Sequence, residues 1–192
     1  MRRARLAVLC AALCWLAPVA SALAQGSASG DTAAWSALRE GAIVVLRHAN
    51  APGGGDPSGL QLGDCSTQRN LDAAGREQAR RIGERLRQER VVAGAVWASA
   101  WCRTRETAEL LNVGRVHEAA AFNSFFSDPG REPAQTATAR AALLAWTGQG
   151  ALVVVTHQLN ITALTGVATA SGEGVVLRRR GAQLELVGRV LP

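Results

Sequence analysis

Lysine is missing entirely from these 192 residues, and every basic side chain is an arginine. Positive charge is therefore carried only by guanidinium forks, whose geometry matches the paired oxygens of phosphate and carboxylate. The excess of that charge is small. Of the formal +6, three charges belong to Arg2, Arg3 and Arg5 in an N-terminal leader, which leaves +3 for the remainder. Between Arg76 and Arg90 the arginines are interleaved with Glu77, Glu84 and Glu89, the pattern of a solvated helix face. This argues against a nucleic-acid partner and suits a pocket for a small anion.

No C-x-x-C spacing occurs, which removes the common redox and zinc motifs. Carboxylates and histidines form no clustered metal set, since Asp56 and Asp64 stand alone, so neither a metal nor another cofactor is expected. Only one apolar run is long, Leu6 to Ala20. It lies between the three leader arginines and Ala22-Leu23-Ala24, and it reads as a secretory signal peptide over residues 1–24. The expectation is a periplasmic or secreted protein with no membrane span after cleavage, which excludes a cytosolic enzyme and a multi-span membrane protein. Cys10 and Cys14 leave with the leader. Cys65 and Cys102 remain, and in an oxidising compartment they can pair as a disulfide or stay as two separate thiols.

With 48% hydrophobic and 19% charged residues, the chain can build one folded core. Residues 25–40 read as a lead-in and 41–192 as the domain. Ala42 to Leu46 is a continuous apolar run, as in a strand buried on both faces. Asn50 to Gly63 follows with five glycines and two prolines and must be a loop. Asp72 caps a helix running to about Arg90, with Ala79, Ile82 and Leu86 inward. Ala95 to Ala98 is a second strand, a helix carrying Ala108 and Leu111 begins near Cys102, and a short strand and loop fill Arg115 to Arg131. Glu132 to Trp146 reads as a helix with Ala137, Ala141 and Leu144 on one face. Ala151 to Val155 is the clearest buried strand, and a helix from Leu159 to Leu164 is stopped by Gly166. Val175 to Arg179 and Leu184 to Val190 form a terminal hairpin, with Leu184, Leu186 and Val190 on one face. The predicted fold is a three-layer α/β/α sandwich with a mostly parallel, mixed central sheet closed by that hairpin.

In such sheets, sites form at the carboxyl ends of the strands. Arg47-His48 ends the first buried strand, Arg103 lies four residues beyond Ser99 at the end of the second, and Thr156-His157 ends Ala151 to Val155. Imidazole beside guanidinium in a confined site is costly unless an anion satisfies both. Helix starts at the same edge add exposed N–H groups. Trp97 and Trp101 read as packing residues and His117 as an ordinary surface histidine.

Four segments in order carry a family resemblance. Val45-Leu46-Arg47-His48-Ala49 is similar to the Arg-His-Gly or Arg-His-Ala signature of the histidine phosphatase superfamily, the phosphoglycerate mutase-like enzymes. Leu71 to Ala79 resembles the helix-opening segment that follows it. Ser99 to Ala108 resembles its Ser-x-x-x-Arg-x-x-x-Thr-Ala motif, and His157 sits where the second histidine belongs.

The resemblance implies a metal-free phosphomonoesterase acting on a small phosphorylated molecule, one branch of relatives suggesting a sugar phosphate. His48 becomes the nucleophile, with Arg47, Arg103 and His157 completing the phosphate pocket. A backbone carbonyl in the glycine-rich loop is the expected partner of the other ring nitrogen of His48. Arg69 either lines the substrate entrance or makes a salt bridge that fixes Cys65 to Asn70. The proton donor departs from the family pattern, because Gln158 follows the second histidine and Ala121 to Phe125 contains no acid. Glu118 is the first candidate, ahead of Asp128 and Asp56. The alternatives are a catalytically weak phosphate- or phosphosugar-binding protein on the same fold, and an interaction domain whose motifs are coincidental.

Overall fold

The computed structural model describes residues 31–191; the leader over residues 1–24 and the beginning of the lead-in lie outside them. Six strands form one sheet. They are β1 (Ile43–Arg47), β2 (Ala93–Ala98), β3 (Val116–Glu118), β4 (Ala151–Thr156), β5 (Gly174–Arg180) and β6 (Gln183–Val190), in the order β3-β2-β4-β1-β5-β6. The first four are mutually parallel, and β5 and β6 are antiparallel. All six residues of β4 are buried, as are the first four of β1. That burial explains why both read as unbroken apolar runs: each has helices on both sides.

The helices are α1 (31–39), α2 (Ala73–Gln88), α3 (Cys102–Leu111), α4 (Glu132–Ala145) and α5 (Gln158–Thr165). On one face of the sheet, α1, α2 and α3 pack against Val44, Leu46, Val96, Val153 and Val155. On the other, α4 and α5 pack with Phe122 against Ile43, Val45, Leu152 and Val154. The architecture is the expected three-layer α/β/α sandwich with an open mixed sheet.

Three details differ from the sequence reading. Part of the lead-in is helical: Ala34, Trp35, Ala37 and Leu38 are buried, and Arg85 lies 5.2 Å over the Trp35 ring. The buried face of α4 is Gln135, Ala139 and Leu143, while Ala137 and Ala141 are exposed. In so alanine-rich a helix hydropathy hardly varies around the axis. The side facing the sheet is set instead by Leu143 and by Gln135, whose amide donates to the Asn123 carbonyl. On β6, Leu184 packs with the α4/α5 cluster but Val187 and Val190 pack with the opposite one. A β-bulge between Val176 and Leu177 in the β5–β6 ladder reverses the inward face midway.

Cys65 and Cys102 are joined by a disulfide with a Cα–Cα distance of 5.7 Å. It ties the long loop after β1 to the first turn of α3, where Gln68 also accepts a hydrogen bond from the Cys102 N–H at 2.9 Å. Closing a 37-residue separation removes enough chain entropy from the unfolded state to contribute about 4 kcal/mol. Thermal melts of the wild type and of C65S/C102S are expected to differ by roughly 10 °C. Coincident melts would show that the loop is held without the bond.

Candidate active site

Strand register brings the expected residues together. Arg47 on β1 pairs with Thr156 on β4, and the His48 N–H donates to the Thr156 carbonyl at 3.0 Å. His48 and His157 therefore leave adjacent parallel strands at the same level, with ring centroids 5.6 Å apart and planes inclined by 67°. One step across the sheet, the Ser99 N–H donates to the Val155 carbonyl at 3.1 Å, which places the end of β2 beside them. His48, Arg103 and His157 are buried and Arg47 is half-buried.

The tautomer of His48 follows from its partner, which is the carbonyl of the next residue rather than one in the glycine-rich loop. Nδ1 lies 2.8 Å from the Ala49 carbonyl, which can only accept, so Nδ1 carries the proton and Nε2 keeps its lone pair. Burial pushes the His48 pKa down to about 3; the Ala49 carbonyl opposes this, while Arg103, Arg69 and Arg47 reinforce it. His157 is held well below its ordinary value, first by burial and then by Arg103. Both imidazoles are thus neutral in the free protein at neutral pH. An unfolded histidine takes up a proton near pH 6.5, but these do so lower, so they contribute stability above pH 6.5 that is lost as pH falls below it, in the case of His48 towards about 3. Imidazole nitrogen NMR of the phosphate-free protein is expected to show no His48 titration between pH 8 and 5. A midpoint near 6.5 would contradict the burial argument.

The Ser-x-x-x-Arg-x-x-x-Thr spacing has a physical basis here. Arg103 and Thr107 lie one turn apart on the same face of α3, Ser99 sits at the end of β2 just before the helix, and each holds a different part of the site. Ser99 Oγ lies 2.8 Å from His157 Nε2 and 2.9 Å from Thr104 Oγ1. Arg103 Nη2 lies 3.4 Å from His157 Nδ1, which as acceptor places the His157 proton on Nε2. Thr107 Oγ1 accepts from the Ala49 N–H at 3.1 Å and donates to the Arg103 carbonyl at 2.6 Å, locking the backbone beside His48 to α3.

The Leu71–Ala79 segment supports the same loop from below. Asp72 caps α2 through the Gly75 N–H at 2.6 Å and accepts from Asn50 Nδ2 at 3.0 Å. A Cβ on residue 75 would come within 2.0 Å of the Asn50 carbonyl, so only glycine allows this approach. Gln78 accepts from the Asn50 N–H at 2.9 Å and donates to the Ser171 carbonyl at 2.7 Å.

Above the strand ends is a cavity of about 410 Å³ lined by Arg47, His48, Arg69, Arg103 and His157 together with residues 50–56. The pKa values of Arg47 and Arg69 are lowered, chiefly by burial and next by Arg103. The buried Nε atoms of Arg47, Arg69 and Arg103 have no hydrogen-bond partner among the described residues. So dense a cationic cluster is stabilised by an anion. Among the described residues, no group of three or more His, Cys, Asp or Glu is arranged to hold a metal ion. No helix there is long and apolar enough to cross a membrane.

Arg69 lines the cavity and donates to the Ala51 carbonyl, which bends the loop over the site; no salt bridge to it is present among the described residues. Glu118 does not reach the site. It ends the edge strand β3 with its side chain exposed and is absent from the cavity wall, because β3 lies two strands out from β4. Asp128 is likewise exposed and outside it. Asp56 does reach in, pairing with both terminal nitrogens of Arg103, and its Oδ2 accepts from Trp101 Nε1 at 3.0 Å. Burial alone would raise the Asp56 pKa, but the Arg103 and Trp101 hydrogen bonds outweigh it and hold it below the usual carboxylate value. Trp97 packs against Phe122 and Trp146 as expected. Trp101 differs: it lies edge-on to His157 at 5.4 Å and grips Asp56, a role signalled only by its position between Ser99 and Arg103.

The sequence profile of the histidine phosphatase superfamily (branch 1) matches residues 43–123. No curated protein sequence matches significantly. Solved structures with a similar fold include the protein histidine phosphatase SixA complexed with tungstate, with 15% identity, a TM-score of 0.57, and 77% of this chain and 95% of that one covered. Another is a phosphoserine phosphatase from Entamoeba histolytica in complex with 3-phosphoglyceric acid, at 12% and 0.61, covering 79% and 97%. A third is a mycobacterial glucosyl-3-phosphoglycerate phosphatase complexed with VO3, at 17% and 0.56, covering 76% and 96%.

Proposed function

We propose that this chain, whose residues 43–123 match the sequence profile of the histidine phosphatase superfamily, hydrolyses small phosphomonoesters through a phosphohistidine formed on Nε2 of His48. The observation that carries this reading is the hydrogen bond from His48 Nδ1 to the Ala49 carbonyl. It leaves a neutral, unprotonated Nε2 in a cavity with three arginines and a second imidazole. Nε2 attacks phosphorus in line with the ester oxygen; the N–P bond forms as the P–O bond breaks, and the leaving oxygen takes up a proton to depart as the alcohol. Water then attacks the phosphohistidine, the N–P bond breaks, and the lone pair returns to Nε2. Arg47 and Arg103 hold the equatorial oxygens, where charge is spread during transfer, and His157 joins them by taking up a proton on Nδ1 as the dianion binds.

The substrate class we favour is a sugar phosphate. In support, Asn50, Ser124, Gln158 and Ser171 give the cavity wall several hydrogen-bonding groups suited to hydroxyls, alongside exposed Phe126 and Leu159. The periplasmic or secreted location read from residues 1–24 is supported by the Cys65–Cys102 bond, a covalent link suited to an oxidising compartment. The test is a panel of phosphosugars, other alkyl phosphates and aryl phosphates, assayed with and without chelator, followed by acid and base quenching of labelled enzyme. Chelator-resistant turnover with acid-labile, base-stable label is expected. Saturable phosphate binding without turnover would instead identify a binding protein.

A further inference from the structure

We propose that Asp56 is the catalytic acid of this site and that its pairing with Arg103 is a resting arrangement which the incoming phosphate replaces. The proposal rests on the phosphohistidine reading and deepens it. Among the described residues lining the cavity, Asp56 is the only carboxylate. Yet it occupies both terminal nitrogens of Arg103, the guanidinium that must hold the transferred group, at 3.1 Å for Nη2–Oδ2 and closer for Nη1–Oδ1. The carboxylate thus stands where two phosphate oxygens belong, on a fork built for such a pair.

A phosphomonoester dianion carries more charge and a third oxygen, which Arg47 is placed to receive, so it outcompetes the carboxylate for Arg103. Asp56 then loses two charge-assisted bonds and gains an anionic neighbour. Both changes favour its protonated form. The groups facing it are Arg103 and Trp101 at the start of α3, Arg69 from the loop before α2, Arg47 and His48 from β1, and His157 after β4. The positive charges of the three arginines are then largely neutralised by the phosphate. Trp101 Nε1, 3.0 Å from Oδ2, tethers the carboxyl at the cavity while Arg103 is handed over. As the P–O bond breaks, the Asp56 proton moves to the leaving oxygen. In the second half the Asp56 carboxylate takes a proton from the attacking water and returns to the acid form. The proton needed for the first turnover comes from solvent.

The experiment compares an alkyl phosphate, whose alkoxide must be protonated as it leaves, with p-nitrophenyl phosphate, whose phenolate need not be. Single-turnover phosphorylation of His48 and the inhibition constant of inorganic phosphate are measured in wild type, D56N and D56E. In D56N the alkyl rate is expected to fall about 100-fold or more and the aryl rate by less than about 10-fold. Phosphate should bind D56N more tightly, because Arg103 is no longer occupied. D56E should recover part of the alkyl rate. Equal losses on both esters, or weaker phosphate binding in D56N, would reduce Asp56 to a support for Arg103 and overturn the proposal. An undiminished alkyl rate would do the same. Failure of the wild type to form any phosphohistidine from the aryl ester would instead sink the underlying reading, whatever D56N does.

Discussion

H48A is expected to lose turnover by about three orders of magnitude or more and to form no acid-labile phosphoenzyme, while still binding inorganic phosphate. The expected separation of chemistry from binding follows from the geometry. His48 presents Nε2 as a lone pair because Nδ1 is committed to the Ala49 carbonyl at 2.8 Å. The cations that hold the anion belong to Arg47, Arg69 and Arg103, which the substitution leaves in place. A melt of H48A close to that of wild type would show that the loss is chemical rather than a collapse of the strand ends. The decisive comparison is rapid-quench labelling of both proteins. Near-normal turnover in H48A would move the nucleophile elsewhere and remove the proposed mechanism.

R103A is the second large effect, expected to lower kcat/KM by roughly 10²–10³-fold through both terms. Arg103 is 3% exposed, pairs with Asp56, and lies 3.4 Å from His157 Nδ1. Its removal therefore takes away the fork for two equatorial oxygens and also leaves the half-buried Asp56 carboxylate without its partner. R103K tests which matters. Lysine restores a charge but not two parallel N–H groups in a fixed plane, so it is expected to recover no more than about a tenth of the lost kcat/KM. Steady-state kinetics on one aryl phosphate suffices. Nearly full recovery by R103K would mean that charge alone is used and that bidentate geometry plays no part.

Much of this could be read before any coordinates. The buried strands β1 and β4 stand out because residues covered on both faces are apolar without interruption. The turn-ending glycine of α5 is equally local: Gly166 adopts φ 75° and donates to the Thr162 carbonyl at 2.7 Å. Where a pattern was weak or depended on a partner, the reading erred. The alanine-rich α4 has no contrast to mark its inward face. The β6 alternation could not reveal a bulge that depends on pairing with β5. The polar residues 25–31 obscure the helix over 31–39, though Ala34, Ala37 and Leu38 carry a helical spacing.

For the site, the division is sharper. Composition and order along the chain determined that the charge would be guanidinium, that Arg47-His48, Arg103 and His157 would stand at strand ends, and that those ends would share one edge of a parallel sheet. These are consequences of local pattern and of the rule that parallel strands point the same way. Which carboxylate enters was decided only in three dimensions. Glu118 is nearer in sequence to the expected position, but its edge strand holds it outside the cavity. Asp56 lies 47 residues before Arg103 and arrives because a glycine-rich loop, tied down by Cys65–Cys102 and by Arg69 on the Ala51 carbonyl, folds back over the strand ends. Long-range approach of this kind depends on loop closure and packing, and neither leaves a periodic trace in the chain.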